Sequence, residues 1–383
     1  MSDDFKRKLE AYEKGKLSDT ELEEFEKDLE KLEAYQEFME ENHPTETTSL
    51  AMNEKRAKKI LKRSKWRARL QTAFMAIAIF IGFTIVTSIL SAVYYSWGTQ
   101  DRMEVYRSVI DYTMTVTDPY GDMGGTSTNS TPYFGLKTQR DLKKRVGDEV
   151  IKVGELKTNF LFSMMSYPER EYFGSLTEQA PVFSYPGSEE RGMSGWDRLK
   201  NLPEGTVVSA YVSFAELLDT DQVFQNFNGK EMKLLWLAVD TGSEGNDDHG
   251  SIFEPFGFPN YPIWHDDDMI LDSREEEKGL FGSRVISEGH SSPEYNEGDT
   301  EVLHKQFLKT LNFLEDNEKK VNKFLFGKTD LSKQIKYLEK NGFQHYGVVI
   351  TGPTKEILKL QDEEWISALE VDEVRLWNWD GLK

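Results

Sequence analysis

The residue types that could do chemistry are few, and they gather in one place. From Trp264 the chain reads W-H-D-D-D-M-I-L-D, which sets His265 beside Asp266, Asp267 and Asp268, with Asp272 four residues on. Carboxylates next to an imidazole can hold Ca²⁺ or another metal, or work as an acid–base pair. The spacing argues against both. It is not that of an EF-hand, and adjacent residues do not converge on one ion without a dedicated turn, so a solvated acidic loop is the ordinary reading. His249, His290, His304 and His345 are scattered and are expected to be structural or exposed. The chain has no cysteine, which removes disulfides, thiol catalysis and thiolate metal sites. The small-residue run G-D-M-G-G-T-S-T-N-S-T (121–131) reads as a loop, and it lacks the Gly-Lys-Ser/Thr end of a phosphate-binding loop. Neither a nucleophile elbow, a zinc-protease helix nor a dinucleotide fingerprint is present. No catalytic residue, metal or cofactor is expected. The rival reading, an anchored enzyme or metal-binding protein, would have to rest on His265 and Asp267.

The elements around these residues are set by charge and hydropathy. Formal net charge is −20 over 383 residues, unevenly spread. Residues 1–50 hold sixteen acids against seven bases, residues 51–69 nine bases against Glu54 alone, and the rest is acidic again. Such a chain is a poor nucleic-acid binder, because neutralising phosphates needs surplus cations. From Leu70 to Tyr95 no residue is charged and none is proline. About 20 such residues span a ~30 Å hydrocarbon core, so a transmembrane helix is expected over 70–95. Trp66 on one side and Tyr94, Tyr95 and Trp97 on the other suit the two membrane interfaces. Lys55, Arg56, Lys58, Lys59, Lys62, Arg63, Lys65, Arg67 and Arg69 lie directly before the span, as a basic juxtamembrane helix over 51–69. The positive-inside rule keeps that flank cytoplasmic, next to anionic lipid headgroups, and puts residues 96–383 outside.

Residues 1–50 read as a small helical head. Ser18 and Glu21 form a capping box, and Leu22, Phe25, Leu29, Leu32 and Met39 follow at helical spacing, with Tyr35 covering the turn at Gln36. His43-Pro44 ends that helix, and Phe5, Leu9 and Tyr12 mark a shorter one closed by Gly15. A third helix is expected from near Leu50 into the membrane. A head this short has a marginal core without a metal, a staple or a partner. The stripe is therefore read as partner-binding, with a dimerising stalk as the alternative.

The stretch G-K-L-S-D-T-E-L-E-E-F-E-K-D-L-E-K-L-E-A-Y (15–35) resembles the N-terminal domain of membrane-anchored anti-sigma factors. Gly15, Leu17, Ser18 and Glu21 match the frame of their zinc pattern. Asp28, Leu32 and Tyr35 stand where its His and two Cys would be, and Leu and Tyr cannot make a structural zinc site. The whole layout, with V-I-D-Y-T-M-T-V-T-D-P-Y-G (109–121), L-P-E-G-T-V-V-S-A-Y-V-S-F (202–214), N-Y-P-I-W (260–264) and Y-G-V-V-I-T-G-P-T-K-E-I-L (346–358), is similar to the zinc-free sigma-factor-regulator family of Firmicutes. The resemblance implies that the head binds an extracytoplasmic-function sigma factor. It also implies that the outer region senses envelope state or binds a small membrane co-regulator protein.

The fold expected is α+β: an all-helical head, one membrane helix, a strand-rich region over 96–200, and a sheet covered by helices over 201–383. Strands are expected at 109–116, 146–163, 206–214, 232–240, 345–352 and 371–379, and helices at 213–224 and 353–369. The order suggests two duplicated β-α-β units, separated by a polar insertion (242–298) and two helices marked by Leu303, Phe307, Leu311, Leu314, Val321 and Leu325 and by Leu331, Ile335 and Leu338. A boundary is expected near Gly195–Pro203.

Overall fold

The computed structural model describes all residues except 1–6, 9–10, 16, 42–46, 99, 174–182, 189–194, 245–249, 280–281, 326 and 378–383, and it leaves undescribed the side chains of residues 19, 40–41, 47–56, 278–279 and 282–285. Phe5, Leu9 and His249 fall outside the described residues. The chain divides into two compact units, Met1–Gly82 and Phe83–Lys383.

In the first unit, α1 (Asp19–Glu41) begins where the capping signal stands. Ser18 donates from both its backbone N–H (3.0 Å) and its hydroxyl (2.6 Å) to the Glu21 carboxylate. The next helix, α2, runs unbroken over 49 residues, Thr47–Tyr95. Gly82 is its only glycine and it has no proline, so nothing interrupts the hydrogen-bond ladder. Its stretch Ala57–Tyr95 is, among the described residues, the one helix long and apolar enough to cross a membrane.

The second unit is α+β. A meander of antiparallel strands forms its first sheet: β1 (Thr126–Thr131), β2 (Gly135–Val146), β3 (Glu149–Leu161) and β4 (Met164–Met165), with β5 (Glu169–Tyr172) also on β3. The second sheet has the order β10-β8-β13-β7-β14, from β7 (Thr206–Asp219), β8 (Lys233–Val239), β10 (Gly257–Pro259), β13 (Gln344–Pro353) and β14 (Ile366–Leu376). Every neighbouring pair in it is antiparallel. So β7 is parallel to β8 across β13, and β13 is parallel to β14 across β7. The two strand–helix–strand units expected from the sequence are therefore present and interlocked, in the manner of a ferredoxin-like split β-α-β fold.

Period-2 alternation sends Val208, Ala210, Val212 and Phe214 to one face of this sheet. They pack there with Leu303, Phe307, Leu311 and Leu314 of α6 (Thr300–Glu315) and Leu331, Ile335 and Leu338 of α8 (Leu331–Asn341). The first of the two expected helices breaks after Glu315, and Glu318–Val321 forms a short α7. The opposite face carries Tyr211, Trp236, Tyr346 and Val349, packed with Phe183 and Ile252 of the paired strands β6 (Phe183–Ser184) and β9 (Ser251–Ile252).

Several local expectations are corrected. Residues 109–116 are not a strand but lie in α3 (Arg102–Thr117). Tyr106, Ile110 and Met114 face the first sheet, while Tyr112 and Val116 pack with the second. Because α3 packs on two sides, its apolar residues at 110, 112, 114 and 116 fall at alternate positions and read as a period of 2. Residues 126–131 are strand β1 rather than loop, paired along their length with β2. Residues 213–219 extend β7, because β13 and β14 both pair there. Helix α5 (Thr220–Phe227) starts only after Asp219, which forms a reciprocal capping box with Gln222. The helix expected over 353–369 is cut to α9 (Thr354–Leu358) and one 3-10 turn, since Ile366 already pairs with Phe214. Around 195–203, α4 (Gly195–Lys200) buries Trp196 and Leu199 in the main core, within the same compact unit.

Gly121 marks where the chain leaves α3. A Cβ there would lie 2.0 Å from the Met114 carbonyl oxygen and 2.7 Å from the Thr115 nitrogen, both backbone atoms that cannot move aside alone. Gly121→Ala should therefore cost about 1–3 kcal/mol, as overpacked cores do. Urea unfolding of the detergent-solubilised chain checks this.

Candidate functional site

The acidic run is the first place to look, and its cation is already supplied. Lys309 of α6 reaches Asp267 and Asp268, each at 2.7 Å. The His265 ring is buried, bonds through Nε2 to the Thr310 hydroxyl at 2.9 Å, and stacks on Tyr112 at 4.3 Å between ring centres. The His265 backbone N–H donates to the Asp268 carboxylate at 2.9 Å. Desolvation lowers the His265 pKa, and Lys309 adds to that, so the ring is held neutral. A cavity of about 260 Å³ adjoins it. Among the described residues no three His, Cys, Asp or Glu side chains converge as a metal site. His265 is a packed pin between α3 and α6. His304 and His345 are likewise structural, both hydrogen-bonded to Thr220, at 2.7 and 2.8 Å. His290 is exposed on the hairpin of β11 (Ile270–Gly279) and β12 (Gly282–Ser291).

The apolar stripe of α1 divides in two. Phe25 is 2 % exposed and meets the Tyr12 ring at 5.3 Å, so it belongs to the unit's own small core. Leu29 and Leu32 are half-buried. Leu22 is exposed, and beyond it Tyr35 (64 %) and Met39 (51 %) stand in solvent. Phe38 is 63 % exposed as well and extends the surface. It lies off the strict stripe, and only its i+3 spacing from Tyr35 could have marked it. Asp28, at the zinc-frame His position, is taken up by Lys31 at 3.1 Å.

The residues proposed for the membrane boundary also separate. Lys58, Lys59, Lys62, Arg63, Lys65, Trp66, Arg67 and Arg69 are exposed along α2; the side chains of Lys55 and Arg56 lie outside the described residues. Trp97 is exposed. Tyr95 is not a surface anchor. It is fully buried, donating its hydroxyl to the carbonyls of Phe134 (2.8 Å) and Phe162 (3.2 Å). Tyr94 is half-buried, with the Arg102 guanidinium 4.6 Å over its ring.

A helical N-terminal unit, one apolar helix and an α+β unit define a membrane-anchored, single-pass protein. The chain belongs to the sigma-factor-regulator family: residues 58–151 match the model for the sigma factor regulator N-terminal region, and residues 199–373 the model for its C-terminal region. It is 28% identical over 390 residues to the probable anti-sigma-M factor YhdL of Bacillus subtilis (strain 168), an alignment covering 99% of this chain and 100% of that protein. No solved structure matches the chain.

Proposed function

We propose that the chain is an anti-sigma factor, which binds an extracytoplasmic-function sigma factor through α1 and holds it at the membrane. The observation that carries this reading is the exposed apolar surface of α1, on a chain of the sigma-factor-regulator family. Leu22, Tyr35 and Met39 are open, Leu29 and Leu32 half-open, and Phe25 on the same stripe is buried beside Tyr12. The flanking carboxylates of α1 complement the basic surface of a DNA-binding protein, which speeds and orients encounter. In this reading the protein acts by binding rather than catalysis; among the described residues, the histidine–aspartate run at 265–268 is taken up by Lys309, Thr310 and Tyr112. On the same reading the basic block lies beside anionic lipid headgroups on the cytoplasmic side, with α1 in the cytoplasm and the larger unit outside. That unit reports envelope state, directly or through a small membrane co-regulator. Zinc has no part in the head.

Affinity purification of the full chain from its own cells tests this. It should recover a sigma factor, and Leu29→Asp with Leu32→Asp should lower that recovery at least ~100-fold, since apolar anchors at an interface are worth about 2 kcal/mol or more each. Unchanged recovery with the double variant would sink the assignment to α1. A dimer of the chain with no captured sigma factor would favour the stalk reading.

A further inference from the structure

The end of the membrane helix does not stand free of the sheet. Thr84, Thr87, Ser88, Ser91 and Tyr95 recur at three- and four-residue spacing, so one face of α2 is polar in an otherwise apolar stretch. That face receives two turns of the first sheet. Gly135 pairs with Leu161, which brings the β1–β2 turn and the β3–β4 turn to the same edge. Ser91 accepts the Phe134 N–H at 2.7 Å, and the Thr84 hydroxyl bonds the Tyr133 hydroxyl at 2.8 Å. Phe134 and Phe162 stack at 4.6 Å, and both meet Tyr94 edge-on, at 5.8 and 5.6 Å.

Helical rise fixes how deep this reaches. The uncharged stretch Leu70–Tyr95 is about 39 Å long, so a ~30 Å core filled from Leu70 ends near residue 90. Ser91 then lies at the core boundary, and Thr84, with the Tyr133 hydroxyl against it, roughly 9 Å inside. The turns end in large apolar side chains that face outward: Tyr133 is 42 % exposed and Met164 63 %, with Leu161, Phe162 and Tyr167 also exposed. The backbone supports a special role. Tyr133, Phe134 and Phe162 hold φ of 63°, 59° and 54°, left-handed positions usually given to Gly or Asn.

We propose that these two turns enter the bilayer beside α2 as a second, monotopic membrane contact, their apolar side chains among the acyl chains of the leaflet on the Tyr95 side. The depth matches the ~5–10 Å typical of interfacial insertion. Lys137, two strand residues above Gly135, is exposed and placed to meet headgroup phosphates. In water the same side chains would form an unprotected apolar edge. The proposal rests on the membrane span of α2.

Because the chain has no cysteine, single-cysteine variants report one site each. The full chain carrying Tyr133→Cys, Met164→Cys, Ile79→Cys or Lys359→Cys is nitroxide-labelled and reconstituted in phosphatidylglycerol–phosphatidylethanolamine vesicles. Oxygen should relax labels at 133 and 164 more strongly than a water-soluble nickel chelate does, as at 79, with the reverse at 359. Labels at 133 and 164 behaving like 359 while 79 stays lipid-exposed would overturn the insertion and leave the span intact. A water-exposed label at 79 would overturn the span and the insertion together. Met164 is 63 % exposed and, among the described residues, has no side-chain hydrogen bond, so its variant carries the test if Tyr133→Cys does not fold.

Discussion

Lys144→Met should destabilise the larger unit by about 3–5 kcal/mol, the cost of stripping one partner from a buried ion pair. Lys144 of β2 lies 2.6 Å from Asp372 of β14, whose side chain is 1 % exposed. The other Asp372 oxygen accepts from Tyr120 at 2.8 Å and from Ser209 of β7 at 3.2 Å. One carboxylate thus ties the first sheet, the second sheet and the segment leaving α3. Without the ammonium the buried carboxylate is left without its counter-charge. The double variant Lys144→Met, Asp372→Asn should regain most of the loss, because the amide oxygen can still accept from Tyr120 and no charge is stranded. Denaturant unfolding of the three proteins decides it. A single-variant cost under about 1 kcal/mol would mean the pair behaves like an exposed one.

Acid should destabilise the same unit from near pH 6.5 downward. The His345 Nδ1 lies 3.0 Å from the Ala238 carbonyl, which can only accept, so Nδ1 carries the proton. Its Nε2 must then accept from Thr220, whose oxygen in turn accepts from His304 Nε2–H. This one-way relay needs His345 neutral, because a protonated Nε2 could no longer accept from Thr220. Burial pushes the pKa of His345 down to about 3 and that of His304 to about 4. The unfolded rings titrate near ~6.5, so below that the unfolded chain binds more protons and stability falls as pH drops towards the folded values. At pH 5 His345 alone accounts for about 2 kcal/mol lost relative to pH 8, and the half-buried His304 adds less. His345→Gln, which can still donate to Ala238 and accept from Thr220, should flatten the slope by that amount. Identical pH profiles for variant and parent would refute the relay.

Much of this protein was legible in its sequence. The membrane helix, the capped α1, the strands at 206–214, 232–240 and 345–352 and the repeated strand–helix–strand order follow from uncharged length, capping chemistry and apolar runs, which are local properties. The absence of thiol chemistry follows from the absence of cysteine. What only the tertiary structure decided depends on partners distant in sequence. Strand pairing carried β7 through a helix-favouring Glu-Leu-Leu stretch and ended α9 after five residues. Burial between two sheets made a helix of 109–116. Lys309, far from the aspartates in sequence, turned a candidate metal loop into a salt-bridged corner. The hydroxyls scattered through the membrane segment became one polar face only when the turns at 133–134 and 162 came to lie on it. Tyr95, whose type and position suit a lipid interface, points instead into protein. Composition sets what a side chain tolerates, and the neighbours that folding brings to it select among those environments.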